Sequence, residues 1–283
     1  MMQDLQGKVA VITGGASGIG RAMAERFARE GMNLVLADVE EAALDLAAKE
    51  LGEGGAQVLG VATDVSQPAQ VEALAAAARQ RFGTVHVVCN NAGVGGHGYP
   101  SDETPLVEWE WVLGVNLWGV IHGVKTFLPM LIEQNEGHVV NTASVAGLIS
   151  MPFMAPYAVA KHGVVALSEA IWHELSFRGS AVGVTVLCPG WVNTRIMDST
   201  RNWLGRLGEE PARSADAGWA GGEQLVRGVI ANGAPPSVAA DDVLECIRSG
   251  RFMAHTAPEM AKQLAANRIA EVEGAAPSMP ALF

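Results

Sequence analysis

The segment Lys8-Val-Ala-Val-Ile-Thr-Gly-Gly-Ala-Ser-Gly-Ile-Gly20 decides the fold of this 283-residue chain. A short apolar run that stops at glycines is typical of a strand buried inside a parallel sheet. Glycine has no Cβ atom, so the turn can be tight, and its backbone N–H groups can approach a phosphate at the start of the next helix. The segment predicts a strand, a turn and a helix, although a glycine turn alone is a weak functional signal.

The same alternation of apolar runs and helical segments continues along the chain. Further strands are predicted at 33–38, 57–64, 85–90, 138–144, 182–188 and 251–256, and helices lie between them, the longest over 104–134. Strands that alternate with helices indicate an α/β fold with a parallel sheet. We therefore expect one domain over 1–283, a doubly wound sheet of about seven strands with helices on both faces.

Composition excludes several classes of protein. The net charge of −11 argues against a nucleic-acid surface, which needs clustered Lys and Arg. No apolar run approaches the length of a membrane span and the start lacks a signal-peptide pattern, so we expect a cytoplasmic protein without membrane association. Cys89, Cys188 and Cys246 are widely separated, which predicts neither disulfides nor a zinc site. No other grouping has metal-ligand spacing, so no metal is expected.

Tyr157 and Lys161 form the candidate catalytic pair. They are four residues apart in a predicted helix over 156–177, so their side chains share one helix face. An ammonium group beside a phenol favours the phenolate, and the pKa of Tyr157 is therefore expected to fall, making it a general base. Such a pair also occurs by chance on many helix surfaces, so it needs supporting residues.

Those supporting residues match a known family. Thr13-Gly14-x-x-x-Gly18-x-Gly20, Asn90-Asn91-Ala92-Gly93, Asn116, Ser144 and Tyr157-x-x-x-Lys161 together resemble the short-chain dehydrogenase/reductases, over roughly residues 5 to 195. The resemblance implies hydride transfer with a nicotinamide cofactor. It gives Tyr157 the role of acid and base, Ser144 that of holding the substrate oxygen, and Lys161 that of binding the ribose. Asn116 would bend its helix and order a water chain to Lys161.

Asp38 predicts the choice of cofactor. It ends the second strand, twenty residues after Gly18, where a carboxylate accepts hydrogen bonds from ribose hydroxyls and repels a 2′-phosphate. The next residue is Val39 rather than an arginine, which favours NAD over NADP; the alternative role for Asp38 is an N-cap of the next helix. The resemblance implies further cofactor contacts from Gly14, Ser17, Gly18, Ile19, Gly20, Asp64, Val65, Asn91, Ala92, Gly93, Tyr157, Lys161, Pro189, Gly190, Val192 and Thr194.

The substrate is expected to be a bulky, largely apolar small molecule, an aryl secondary alcohol or its ketone. A lid is predicted over about 191–236, and the residues that can face Ser144 are aromatic or apolar: Tyr99, Met151, Phe153, Met154, Trp191, Met197, Trp203 and Leu204. The alternatives are an NADP-dependent 3-oxoacyl-thioester or steroid ketoreductase, and a nucleotide-binding regulatory protein without chemistry.

Two helices and the C-terminus predict self-association. The segments 104–134 and 156–177 carry too many apolar residues to face water, so we expect them to pack against copies of themselves. A homotetramer is favoured over a homodimer. A C-terminal helix and tail are predicted over about 257–283, with the apolar tail packing on a partner subunit.

Overall fold

Seven parallel strands form one sheet in the computed structural model, which describes residues 2–212 and 217–277. The spatial order is β3-β2-β1-β4-β5-β6-β7. This confirms the predicted doubly wound α/β fold. The strands are β1 Val9–Thr13, β2 Asn33–Asp38, β3 Val58–Ala62, β4 Val87–Asn90, β5 His138–Thr142, β6 Gly183–Cys188 and β7 Met253–His255.

Helices cover both faces of the sheet. They are α1 Gly18–Arg29, α2 Glu41–Glu53, α3 Pro68–Phe82, α4 Leu106–Leu113, α5 Gly119–Gln134, α6 Ala155–Phe177, α7 Ala217–Ala231, α8 Pro236–Ser249 and α9 Pro258–Val272. Helices α1, α2 and α8 pack into one apolar cluster with the sheet, and α3 to α6 pack into a second cluster on the other face. Because both faces are covered, the strands read as continuous apolar runs.

The order of the strands reverses at β1. Strand β1 pairs with β2 on one side and with β4 on the other. The chain therefore leaves the carboxyl ends of β1 and β4 toward opposite faces of the sheet, which opens a crevice between them. The glycine turn after β1 and the segment Asn91-Ala92-Gly93 after β4 both border this crevice.

The predicted long helix is interrupted at the expected residue. A π-helical turn, Gly114–Trp118, joins α4 to α5 and contains Asn116. Such a turn inserts a residue into the helix and commonly lies at a functional site. By length and composition alone the helix Leu106–Gln134 could cross a membrane. In this fold, however, its Trp111, Phe127 and Leu131 are buried in the second cluster.

The region after β6 contains an element that the sequence did not predict. A lid was predicted over about 191–236 without assigned secondary structure, and α7 lies within it. Its sequence carries several glycines, which weaken helical periodicity and explain why it was missed. The C-terminal helix is present as α9. Residues 278–283 of the predicted tail lie outside the described residues.

Candidate active site

The glycine turn brings α1 unusually close to the end of β1. Gly14 and Gly18 have positive φ angles of 64° and 55°, which favour glycine. A Cβ atom on Gly20 would lie only 2.1 Å from the Gly14 carbonyl oxygen and 2.6 Å from Nδ2 of Asn91. The absence of a side chain at Gly20 therefore lets α1 pack closely against the turn. Gly14 and Gly18 line the crevice.

The hydroxyl of Thr13 joins the two strand ends that border the crevice. Its Oγ1 accepts hydrogen bonds from the backbone N–H groups of Asn91, at 2.9 Å, and Ala92, at 3.1 Å. In return, Nδ2 of Asn91 donates to the Thr13 carbonyl at 3.0 Å. These bonds satisfy buried backbone groups at a place where the sheet pairing has ended.

Asp38 lies at the far end of the crevice, where the sequence placed the adenosine ribose. Its Oδ2 accepts from the Ala16 N–H at 3.1 Å, and its Oδ1 accepts from the Glu40 N–H at 3.1 Å. The carboxylate thus orders both the glycine turn and the approach to α2. Burial raises the pKa of Asp38, against the smaller opposing effect of these hydrogen bonds.

Lys161 is held beneath the ring of Tyr157. Its Nζ lies 5.5 Å from the ring centroid and donates to the Thr142 carbonyl at 2.9 Å. The side chain is buried, and burial lowers the pKa of Lys161 to about 8. The predicted sharing of one helix face is therefore observed, but the ammonium also has a backbone partner at the end of β5.

The predicted pKa of Tyr157 was wrong for this structure. Burial raises the pKa of the phenol, and a hydrogen bond with Ser144 opposes that rise only in part. The physical reason is that the phenolate would lose its hydration in the buried site, while the Lys161 ammonium is directed at the Thr142 carbonyl. The chain alone therefore holds Tyr157 in its protonated form.

Ser144 and Asn116 act on the local backbone. Ser144 Oγ accepts from the Ala146 N–H at 3.1 Å and so caps the short 3-10 turn after β5. The Asn116 amide makes two bonds with Val94, accepting from its N–H and donating to its carbonyl, each at 2.8 Å. Asn116 is fully buried, so it positions the segment after β4 rather than facing the crevice.

One continuous cleft contains almost all the predicted site residues. It is lined by Gly14, Ser17, Gly18, Ile19, Asp38, Asp64, Val65, Asn91, Ala92, Gly93, Ser144, Tyr157, Lys161, Pro189, Gly190, Val192 and Thr194. Gly20 and Asn116 lie directly behind it. Sequence reasoning missed Thr63, Thr142, Glu40 and Arg201, which also line the cleft. Arg201 follows the matched motifs, and no local pattern marks it.

The segment after β6 covers the cleft and is fixed at several points. A 3-10 helix, Ile196–Asn202, begins this cover. Ser199 is buried and accepts from the Gly95 N–H at 2.8 Å. Arg227 of α7 pairs with Asp198 at 2.7 Å. We call residues 195–207 the strap, because they cross from Thr194 to the Glu40 side of the cleft.

A buried histidine joins α4 to the segment that follows the strap. His97 contacts Glu108 through Nδ1 at 2.6 Å and Glu210 through Nε2 at 3.0 Å. Burial disfavours the imidazolium, but the two carboxylates outweigh burial and raise the pKa of His97. Trp203 packs on this histidine and on Trp111, at a centroid distance of 5.1 Å from the latter. Trp203 is thus part of the lid packing and not of the cleft wall.

The shape of the cleft and its hydrogen-bonding groups suit a dinucleotide. A Cβ atom on Gly18 would lie 3.3 Å from the Thr194 side chain, and one on Gly93 would lie 3.2 Å from Asn116 and 3.6 Å from the Lys161 ammonium. These glycines keep the cleft open between the turn and the catalytic groups. The backbone N–H groups at the start of α1 could bind phosphates, and the Asp38 carboxylate could accept hydrogen bonds from ribose hydroxyls.

The family described as short chain dehydrogenase matches residues 8–205 of this sequence. The chain belongs to the short-chain dehydrogenase/reductase family. It is therefore an oxidoreductase of alcohol- and ketone-type substrates. A short-chain dehydrogenase/reductase from Burkholderia phymatum, solved in complex with NAD, is 42% identical, with a TM-score of 0.93 over 99% of both chains.

Two curated relatives add chemical context to the family. The 1-deoxy-11-beta-hydroxypentalenate dehydrogenase of Streptomyces exfoliatus is 40% identical over 75% of this chain and 77% of its own. The levodione reductase of Leifsonia aquatica is 37% identical over 74% of this chain and 78% of its own. The first is named as a dehydrogenase of a hydroxyl compound, and the second is named as a reductase.

We predict that Gly20→Ala lowers the free energy of unfolding by at least about 2 kcal/mol, because the added methyl group meets backbone that cannot move away. The matched control is Gly52→Ala in α2, where a Cβ atom meets nothing within 4 Å. That control should be neutral or stabilising by up to about 1 kcal/mol. Urea unfolding of both variants measures the difference; equal stabilities would contradict the close approach of α1 to β1.

Proposed function

We propose that the protein is an NAD(H)-dependent oxidoreductase that interconverts a bulky, largely apolar secondary alcohol, of the aryl type, and its ketone. The observation that carries the proposal is the convergence of Ser144, Tyr157 and Lys161 on a cleft whose other end presents Asp38. A merely nucleotide-binding protein would not need an acid, a hydroxyl and an ammonium group at the end opposite the ribose carboxylate.

In this mechanism the residues of the chain transfer the hydroxyl proton of the substrate and bind its reacting oxygen. When bound, the nicotinamide ring supplies the acceptor or donor of the hydride. Tyr157 takes the hydroxyl proton during oxidation and returns it during reduction, and Ser144 donates a hydrogen bond to the reacting oxygen. Lys161 would bind the nicotinamide ribose and stabilise the Tyr157 phenolate, which its position beneath the ring permits. Asn116 keeps the backbone near Val94 in place.

The charge at the ribose end supports NAD rather than NADP. Asp38 has its carboxylate at the cleft and Val39 follows it. A second carboxylate, Glu40, stands two residues further on. The Asp38 carboxylate would repel a 2′-phosphate brought to this end, and Glu40 holds the Arg201 guanidinium in an ion pair. NAD in the related Burkholderia phymatum structure agrees with this assignment.

The walls near Tyr157 support an apolar substrate. Met151, Met154, Trp191, Met197 and Leu204, all expected to face the substrate, line the cleft together with Ile196, Val226 and Ile230. Tyr99 and Phe153 line a smaller adjoining hollow instead. Flexible Met side chains and an aromatic ring suit an apolar ligand held by one oxygen, whereas a sugar would need several paired polar groups.

A panel of alcohols with NAD and NADP tests the proposal. We expect the highest kcat/KM for aryl secondary alcohols with NAD, and turnover at least about 100-fold lower for Tyr157→Phe, whose NAD binding should persist. Calorimetry of NAD binding to Tyr157→Phe is the control for folding. A polyol or sugar turned over more efficiently than any aryl carbinol would refute the substrate class. Full activity in Tyr157→Phe would refute the mechanism.

Exposed apolar residues on α6 and the π turn support the proposed self-association into a homotetramer, with a homodimer as the alternative. Trp118 is 53% exposed, Val159 50% and Trp172 43%. A second copy of the chain would remove these apolar side chains from water, because a twofold interface buries the same surface on both copies.

We predict that light scattering finds a dimer or a tetramer at micromolar concentration, and that Trp172→Glu shifts the protein to a smaller species. The matched control is Leu46→Glu on α2, which is 56% exposed but lies away from α6. The control should leave the assembly unchanged. A wild-type monomer, or an equal effect of both variants, would contradict the proposed interface.

We also propose a cytoplasmic location without membrane association. Cys89, Cys188 and Cys246 are free and buried, as a reducing compartment allows. Separation of cells into soluble and membrane fractions tests this: recovery in the membrane fraction would contradict it.

A further inference from the structure

The strap reaches across the ribose end of the cleft and carries an arginine whose ion pair is not part of the family motifs. Arg201 on the strap donates to Oε1 of Glu40 from Nη2, at 2.6 Å, and from Nε, at 3.0 Å. Asn202 donates to the same oxygen at 3.0 Å. Glu40 begins the approach to α2, so this contact links the strap to the corner that contains Asp38.

Every nitrogen of the Arg201 guanidinium already has a partner. Nε and Nη2 bind Glu40, and Nη1 donates to the carbonyls of Asp198, at 2.9 Å, and Arg195, at 3.4 Å. The Arg201 side chain is 31% exposed and that of Glu40 27%, so the pair is partly shielded from water. The guanidinium is therefore held in one orientation, because these contacts engage four of its five N–H groups.

The negative charge of Glu40 determines the net charge at the ribose end of the cleft. Asp38, Glu40, Arg195 and Arg201 all line this end of the cleft. The two carboxylates balance the two guanidinium groups. The 2′-phosphate of NADP brings about two further negative charges and needs a cation with free N–H groups. Without the charge of Glu40, this end would be positive and Arg201 could turn a donor to the phosphate.

We infer that Glu40 is a second determinant of coenzyme choice: by engaging Arg201 it withholds the guanidinium group of Arg201 from a 2′-phosphate. This inference rests on the proposed preference for NAD. It assigns to Glu40 a role separate from that of Asp38. Asp38 presents a carboxylate to the ribose hydroxyls, whereas Glu40 acts through a residue 161 positions away in the sequence.

The Arg201–Glu40 ion pair also fixes the position of the strap. This structural effect has to be distinguished from an effect on coenzyme choice. If Glu40 served only to close the strap, its loss would weaken NAD and NADP alike. If it controls the availability of Arg201, its loss would strengthen NADP relative to NAD. The ratio of the two dissociation constants therefore distinguishes these roles, and it can be measured by calorimetry without any substrate.

The test is Glu40→Gln, which keeps the shape of the side chain and removes its charge. We expect NADP affinity to rise relative to NAD affinity by about tenfold. The matched control is Glu41→Gln, an exposed carboxylate on the next residue, which changes net charge equally and should leave the ratio within about twofold. The double variant Glu40→Gln/Arg201→Gln should lose most of the gain, because the liberated cation is gone.

The outcomes separate this inference from the proposed function. An unchanged ratio in Glu40→Gln, or equal weakening of both coenzymes, would overturn the role of Glu40 while leaving the NAD preference intact. A gain that persists in the double variant would overturn the role of Arg201. A wild-type protein that binds NADP more tightly than NAD would contradict the NAD preference itself, and the inference with it.

Discussion

The cleft depends on the hydrogen bonds that tie the end of β1 to the end of β4 through the hydroxyl of Thr13. At this point the chain turns to opposite faces of the sheet, and its backbone N–H groups would otherwise lose their partners. With the two ends held, Gly20 lets α1 approach the turn, and the segment after β4 forms the opposite wall. The place for a dinucleotide is thus a consequence of strand order and of buried backbone groups that must be paired.

Burial controls the chemistry at the other end. Asn116 and Lys161 are buried and Tyr157 is partly buried, so each of these polar groups must have a partner or a shifted pKa. Asn116 finds both partners on Val94, and the π turn that carries it departs from regular helix geometry. The ammonium group of Lys161 donates to the Thr142 carbonyl, and burial lowers the pKa of Lys161. Burial raises the pKa of Tyr157, which favours the protonated phenol in the protein alone.

Local sequence patterns were sufficient to predict the strands and the cleft residues near the strand ends, but they predicted little of the lid. The strands were predictable because they are short apolar runs bounded by turns, and Tyr157, Lys161 and Asp38 were predictable because their spacing to other residues is set by one helix or one strand. The Arg201–Glu40 pair was not predictable, since it joins distant segments through a strap without periodicity. Trp203 was misassigned to the substrate wall because aromatic residues suit a binding wall and a packed lid equally well.

The proposed role of Tyr157 as the proton-transfer group requires its ionisation to respond to the coenzyme, and the composition of the chain makes that ionisation directly observable. The chain has two tyrosines, so Tyr99→Phe leaves Tyr157 as the single phenol. The ultraviolet absorbance of the phenolate can then be titrated with and without NAD, with the variant that lacks both tyrosines as the blank. We predict that the pKa of Tyr157 lies above its ordinary value in the free protein and falls when NAD is added. A pKa that NAD leaves unchanged would contradict the account.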